Sequence, residues 1–310
     1  NNGGNDYWIV KLKQNGDKEW DKIYGGSKDE TPRSIIETDD GGYAVTGTTV
    51  SDDGHITKNH GANDIWILKL DINGTKMWDL SLGGLNDDYG RSLVQTKDGG
   101  YFIGGMSASF THNQASKDFF IIKLDNSEAW GKAPKVEWSM NYGGSDDEEC
   151  QKIIPTADGG CIAAGNTKSV NGDVTSNHKE GYVDYWVVKI NAKGKLENQK
   201  SFGGTKDDQL YSITQLKDRS LVLAGLTTSN DGDIDFSYKN DGVSQDGWII
   251  KLDVLNGGGA DVNLGPDDFR PLGYQLHPNE VNLNADVNIN SGNYEFIWHD
   301  SSKTPTYNVA

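Results

Sequence analysis

Apolar and polar residues in this chain fall into short strand-like runs, and one run returns five times. Asp6-Tyr-Trp-Ile-Val-Lys-Leu12 recurs as Asp64-Ile-Trp-Ile-Leu-Lys-Leu70, Asp118-Phe-Phe-Ile-Ile-Lys-Leu124, Asp184-Tyr-Trp-Val-Val-Lys-Ile190 and Asp246-Gly-Trp-Ile-Ile-Lys-Leu252. Each run is seven residues long, rich in β-branched and aromatic side chains, and bounded by turn formers, which predicts a strand. The leading aspartates stand 54 to 66 positions apart, a period that belongs to propellers, solenoids or arrays.

Three more strands are predicted in each unit. The second piece reads Glu19-Trp-Asp-Lys-Ile-Tyr-Gly-Gly26 and returns as Met77 to Gly84, Glu137 to Gly144 and, degenerate, Glu197 to Gly204. The third and fourth pieces flank a tight turn, as in Ser34 to Thr38, Asp39-Asp-Gly-Gly42, then Tyr43 to Gly47, with counterparts at Asp98-Gly99 and Asp158-Gly159. Asp-Gly between apolar runs signals a hairpin, because the turn needs a positive φ that glycine reaches without steric cost. In the fourth copy Asp218-Arg-Ser220 replaces this turn, so a different or strained turn is expected there.

Four antiparallel strands per unit predict an all-β protein, a β-propeller of five blades. The aromatic position Trp8, Trp66, Phe120, Trp186 and Trp248, with Trp20, Trp78 and Trp138 on the next strand, is expected to fill the space between blades. Residues 1–256 form the repeat region, with units starting near 6, 64, 118, 184 and 246, and residues 257–310 form a C-terminal segment. In that segment Val281 to Ile289 alternates apolar and polar residues, Tyr294 to Trp298 follows a turn, and Phe269 to Leu276 suits an outer strand. The expectation is a fifth blade closed by two tail strands and the two strands of residues 6–24, removing open sheet edges. The alternative is a separate sorting or anchoring module.

The order of Trp, Gly-Gly, an apolar run, Asp-Gly-Gly-Tyr, Gly-Thr-Thr, a long loop and Asp-x-Trp-Ile-x-Lys-Leu over residues 6 to about 253 resembles the bacterial beta-propeller repeat called SBBP. Similar repeats occur in secreted and cell-envelope proteins of Bacteroidota, lipoproteins among them. The resemblance implies a scaffold displayed outside the cell and implies no particular activity.

Charge narrows the partners. Lys and Arg number 29 against 46 Asp and Glu, a net charge of −17, and such a surface repels nucleic acid and anionic lipid. No apolar run approaches a membrane span, since Lys11, Lys69, Lys123, Lys189 and Lys251 interrupt the strands. The opening Asn1 to Asn5 has no basic or apolar signal region, so any export signal is expected outside this sequence. Cys150 and Cys161 flank one hairpin at unequal distances from its turn, which predicts two free thiols.

Features present in every copy are expected to be structural, and differences between copies to carry function. The leading aspartates read as turn residues bonding backbone amides, and the strand lysines as packed scaffold. The third repeat differs most: fourteen positions separate Leu124 from Trp138, against eight from Leu70 to Trp78. The insertion carries Trp130 with Lys132 and Lys135, the best candidate for ligand or partner contact because an aromatic there has no packing duty imposed by the repeat, with a loop anchor as the alternative.

The loop after each fourth strand spans 13 to 21 positions, long enough to be functional. One of these loops places Asp231, Asp233 and Asp235 at the alternate spacing of calcium loops, although Phe236 and Gly242 stand where an EF-hand needs glycine and glutamate. This spacing makes calcium the one cofactor suggested by the sequence, with a polar turn as the alternative. His55, His60, His112, His178, His277 and His299 show no zinc spacing, and no nucleophile elbow, Cys–His pair, phosphate loop or metalloprotease helix occurs. The expectation is a non-catalytic secreted or cell-surface binding or scaffold propeller for a protein partner or glycan, either free or as a subunit of an envelope complex. The alternative is a glycoside-processing enzyme with carboxylates in a central funnel.

Overall fold

The computed structural model describes residues 2–113, 116–234 and 245–252. Among these residues the protein is all-β, with seventeen antiparallel strands in five sheets arranged as the blades of a propeller-like fold. The first sheet pairs β1 (Tyr7–Leu12) with β2 (Lys18–Tyr24). The second runs in order β3 (Glu30–Glu37), β4 (Tyr43–Thr49), β5 (Asp64–Leu70) and β6 (Lys76–Leu82). The third comprises β7 (Asp88–Gln95), β8 (Tyr101–Ser107), β9 (Asp118–Leu124) and β10 (Val136–Tyr142). The fourth comprises β11 (Glu148–Pro155), β12 (Cys161–Thr167), β13 (Asp184–Ile190) and β14 (Leu196–Phe202), and the fifth β15 (Asp208–Gln215), β16 (Leu221–Thr227) and β17 (Asp246–Leu252).

Each full sheet therefore takes two strands from one sequence unit and two from the next, with the break at the paired glycines. In the four sheets after the first, the first strand is the inner one: β3 packs on β7, β7 on β11 and β11 on β15. No described helix is long and apolar enough to cross a membrane. The tail strands expected within 257–310 lie outside the described residues.

Alternation along the repeated strand builds the core between sheets. Tyr185 and Val187 pack on Trp248 and Ile250 of the next sheet, while Trp186 and Val188 pack on Phe119 and Ile121 of the one before. Aromatic pairs mark these seams: Tyr7 with Trp66 at 4.5 Å between ring centroids, Phe119 with Trp186 at 4.7 Å, and Tyr185 with Trp248 at 4.8 Å. Burying one such indole stabilises the fold by at most about 4–6 kcal/mol, from about 150–250 Å² at about 25 cal/mol/Å².

Trp8 departs from the expectation. It is 64% exposed, with its indole N–H donated to Asp21. The face that buries Trp66 and Trp186 is turned toward the preceding sheet, and no described sheet precedes β1. On the second strands, Trp78 is buried whereas Trp20 and Trp138 are half-buried. A Cβ built on Gly74 or Gly194 would lie 3.0–3.1 Å from the rings of Trp20 and Trp138 respectively, so these indoles rest on turn glycines of the following sheet.

The hairpin turns are stapled from outside. Asp40 accepts hydrogen bonds from the Thr38 hydroxyl and the Gly42 amide, and from Nζ of the fully buried Lys69 at 2.7 Å. Lys123 with Asp98 and Lys189 with Asp158 repeat the arrangement. Desolvation raises the Asp40 pKa, but the Lys69, Thr38 and Gly42 hydrogen bonds outweigh it and bring the carboxyl down to about 2. In the fourth copy Arg219 adopts φ 70°, the left-handed value taken by Gly41, Gly99 and Gly159 elsewhere. Ser220 stands where a Cβ on the equivalent Gly42 would meet Leu70 O at 2.3 Å and Lys69 Nζ at 2.8 Å. Accordingly Lys251 sits 3.5 Å from Asp218 with 39% of its side chain exposed, against 0% for Lys69. The cysteines are free and buried, Cys150 opposite Gly165 and Cys161 opposite Pro155.

Candidate functional site

The inner strands are anchored at one end by paired acids. Glu30, Asp88, Glu148 and Asp208 open β3, β7, β11 and β15, all buried, and accept the amides of Gly26, Gly84, Gly144 and Gly204 at 2.7–2.8 Å. Opposite them stand the leading aspartates. Asp64, Asp118 and Asp184 are fully buried, and each accepts both the backbone N–H and Nδ1–H of a histidine, His60, His112 and His178, with Nδ1 at 2.8, 2.6 and 2.7 Å. The aspartates thus bond backbone amides as expected, while three of the six histidines share a repeated role that their spacing concealed.

The other oxygen, Oδ1, of these three aspartates has no hydrogen-bond partner. It faces the inner-strand acid across the first glycine of each pair. A Cβ on Gly83 would lie 2.4 Å from Asp64 Oδ1 and 2.7 Å from Asp88 Oδ2, and Gly143 and Gly203 are enclosed in the same way. Only glycine fits between two buried carboxylates. Desolvation, and secondarily the Asp208 charge, push Asp184 up to about 6, and burial likewise raises Asp64, Glu148 and Asp208. His178 is raised first by its hydrogen bond to Asp184, and its Nε2 lies 3.5 Å from Asp233 Oδ2 in the next long loop.

Next to this frame the inner strands share a β-bulge. The ladder skips Arg33 in β3, Arg91 in β7, Gln151 in β11 and Tyr211 in β15, always three residues after the anchoring acid. A bulge re-aims the unpaired residue and often sits beside a binding site. Here Arg91, Gln151 and Tyr211 line a cavity of about 460 Å³ between β7, β11 and β15. Glu149, Gln209 and Asn166 complete its wall, with Lys117 and Lys168 at the long-loop end of the strands. Arg91 is hydrogen-bonded to Glu149, Lys168 lies 3.7 Å from Asp147, and Lys117 lies 5.6 Å from the centre of the Tyr89 ring. The bulge geometry repeats but its chemistry does not. A variable position at a fixed offset from a repeated acid is the signal by which the sequence could have revealed it.

The insertion carrying Trp130 lies at the opposite end of the strands, beside the Asp98 turn, where Asn126 donates to Asp98 O. It replaces the glycine turn on which Trp20 and Trp138 rest in other sheets. Glu128 accepts the Trp78 indole N–H at 2.8 Å and the Tyr101 hydroxyl at 3.0 Å, and the Gly131 amide donates to Met77 O at 2.8 Å. Trp130 occupies the tip of the Ala129–Lys132 turn, 64% exposed, with Lys132 and Lys135 also exposed. The insertion is thus pinned at its base and presents an indole at its tip.

The aspartates considered for calcium bond to protein. Asp231 accepts the Thr205 amide on Oδ1 and the Thr205 hydroxyl on Oδ2, and Asp233 accepts the Gly203 amide. Asp235 lies outside the described residues. Asp231 and Asp233 thus tie the long loop to the Gly203–Thr205 segment.

No family model matches this chain, and no curated protein matches it. Among solved structures it is similar to a protein of unknown function from Bacteroides caccae, with a TM-score of 0.45 and 11% identity over 79% of this chain and 71% of that one. It is similar to the hydrazine synthase of Kuenenia stuttgartiensis, with a TM-score of 0.49 and 11% identity, covering 79% of this chain and 56% of that one. Sqt1 from Chaetomium thermophilum follows with a TM-score of 0.35 and 12% identity over 88% and 68% of the respective chains.

Proposed function

We propose that this chain is a non-catalytic binding or scaffold propeller of the secreted or cell-surface kind, engaging a protein partner or glycan through the rim that carries Trp130. The observation behind this reading is the pinned insertion. Glu128 before the turn and the Gly131 amide beside Trp130 fix the insertion to the sheet while 64% of the Trp130 surface is left to solvent. An aromatic held rigidly at a tip gives contact area at small entropic cost, the property of a binding hot spot. The flanking Lys132 and Lys135 stand out on a chain of net charge −17 and suit a partner with acidic or hydroxyl groups.

The acids near the cavity favour binding over glycoside processing. Asp147 and Glu148 have counterparts in the other copies, and Glu149, the copy-specific one, is engaged by Arg91. The resemblance to SBBP repeats supports placement outside the cell. A photo-crosslinking residue at position 130, compared with one at Lys179 in the source cells, tests the reading. Specific adducts at 130 are expected; equal or absent labelling at the two positions would refute it.

A further inference from the structure

The bulge residues point to a second site, distinct from the Trp130 rim. We infer that the cavity between β7, β11 and β15 binds a neutral saccharide of one or two rings, gripped by Arg91, Gln151 and Tyr211. This deepens the reading of the chain as a binding module and rests on it. Three observations fix the ligand class.

The first is size. About 460 Å³ lies within the range of small-molecule sites, about 300–1,000 Å³, and is too small for a folded partner.

The second is charge. The cations at the cavity are Arg91, Lys117 and Lys168. Arg91 is matched by Glu149 and Lys168 lies near Asp147, while Lys117 is stationed over the Tyr89 ring. With the buried Glu148 behind them, these groups leave no strong excess of positive charge to select an anion. The lining is also too polar for an apolar ligand, with Met106 and Val183 its only aliphatic members.

The third is hydrogen-bonding chemistry. Gln151 and Gln209 present amides that donate and accept at once, which matches the hydroxyl groups of a sugar. The Arg91–Glu149 pair offers donors and acceptors side by side. Tyr211 is 55% exposed, its hydroxyl donating to Gln209 Oε1 at 3.0 Å, so its ring is available to the apolar face of a pyranose.

The arrangement is local to this part of the molecule. The equivalent bulge in β3 carries Arg33, which is exposed and lies apart from the cavity. Four bulges at one ladder position reflect the scaffold; the trio Arg91, Gln151 and Tyr211 is particular to three neighbouring sheets.

The test is a glycan array of neutral and acidic sugars probed with the full chain, followed by calorimetric titration of the strongest neutral hit against variants. Gln151→Ala and Tyr211→Ala should each weaken binding about tenfold or more, as the loss of one buried hydrogen bond or one stacking ring implies. Arg33→Ala, at the equivalent exposed bulge of β3 outside the cavity, should leave it within about twofold. The bulged side chains are not required by the ladder, and Gln151→Glu and Tyr211→Phe, checked for unchanged circular dichroism, separate lost contacts from lost fold. Binding confined to acidic glycans, no binding to any sugar, or binding unaffected by both Gln151→Ala and Tyr211→Ala would overturn the inference. Loss of glycan binding in Trp130→Ala alone would overturn the cavity while upholding the rim.

Discussion

Replacing Asp184 by Asn tests the buried acid frame through its pH dependence. The Asp184 carboxyl is fully buried, shares the Gly203 notch with the buried Asp208, and leaves Oδ1 without a hydrogen-bond partner. Desolvation is the main cause that lifts it from 3.8 to about 6. Between those values the folded protein keeps a proton that the unfolded chain has released, so this group's contribution to stability falls as pH rises from about 4 to about 6. The gap corresponds to at most about 3 kcal/mol, at about 1.4 kcal/mol per pH unit.

His178, raised by the same contact, adds a slope of the same sign. Its stabilisation is full below 6.5 and is lost as pH rises through its higher folded value. Carboxyls such as Asp40, held low by Lys69, slope the other way below about pH 4. They are present in both proteins and cancel in the difference. The new Asn amide also faces Asp208 as a donor. In urea titrations at about pH 4, 5, 6 and 7.5, Asp184→Asn should therefore gain on the native protein with rising pH, by up to about 3 kcal/mol. A difference that is flat, or that grows in favour of the native protein, would refute the buried-pair reasoning.

Gly143→Ala would place a Cβ 2.3 Å from Glu148 Oε2 and 2.9 Å from Asp118 Oδ1, and should cost about 1–3 kcal/mol; an unchanged denaturation midpoint would contradict it. Arg219→Gly relieves a left-handed backbone worth about 1–2 kcal/mol against an entropic cost of about 0.5–1 kcal/mol. The net gain is about 0–1.5 kcal/mol, and a lower melting temperature than the native protein would count against it.

Much of the fold is legible locally. The four strands of a unit, the Asp-Gly turns and the strain at Arg219 are written in adjacent residues, and the insertion shows as a difference in length. The sheet boundary at Gly25-Gly26 is also marked in sequence, because a Cβ on Gly25 would run into the carboxylates of Asp6 and the buried Glu30. What stays hidden is set by non-local register. His178 reaches Asp184 within one loop, yet its second acid, Asp233, lies 55 positions on. The bulges at Arg91, Gln151 and Tyr211 depend on which strands pair, so neither the cavity nor its chemistry can be read from one strand. Trp8 repeats the motif of Trp66, but burial needs a preceding sheet, which a motif does not supply. The candidate residues are placed by different means: the insertion itself holds Trp130, whereas Asp231 and Asp233 bond to the Gly203–Thr205 segment.

Hydroxyl-radical footprinting of the native protein, read by mass spectrometry at each tryptophan, tests the central claim that the aromatics of the repeated strand are shut between sheets wherever a described sheet precedes them, while Trp8, which has none, and Trp130 of the insertion face solvent. Trp66, Trp186 and Trp248 should be protected until the protein unfolds, and Trp130 and Trp8 should oxidise at once. Rapid oxidation of Trp66, Trp186 and Trp248 in the folded state would contradict the account.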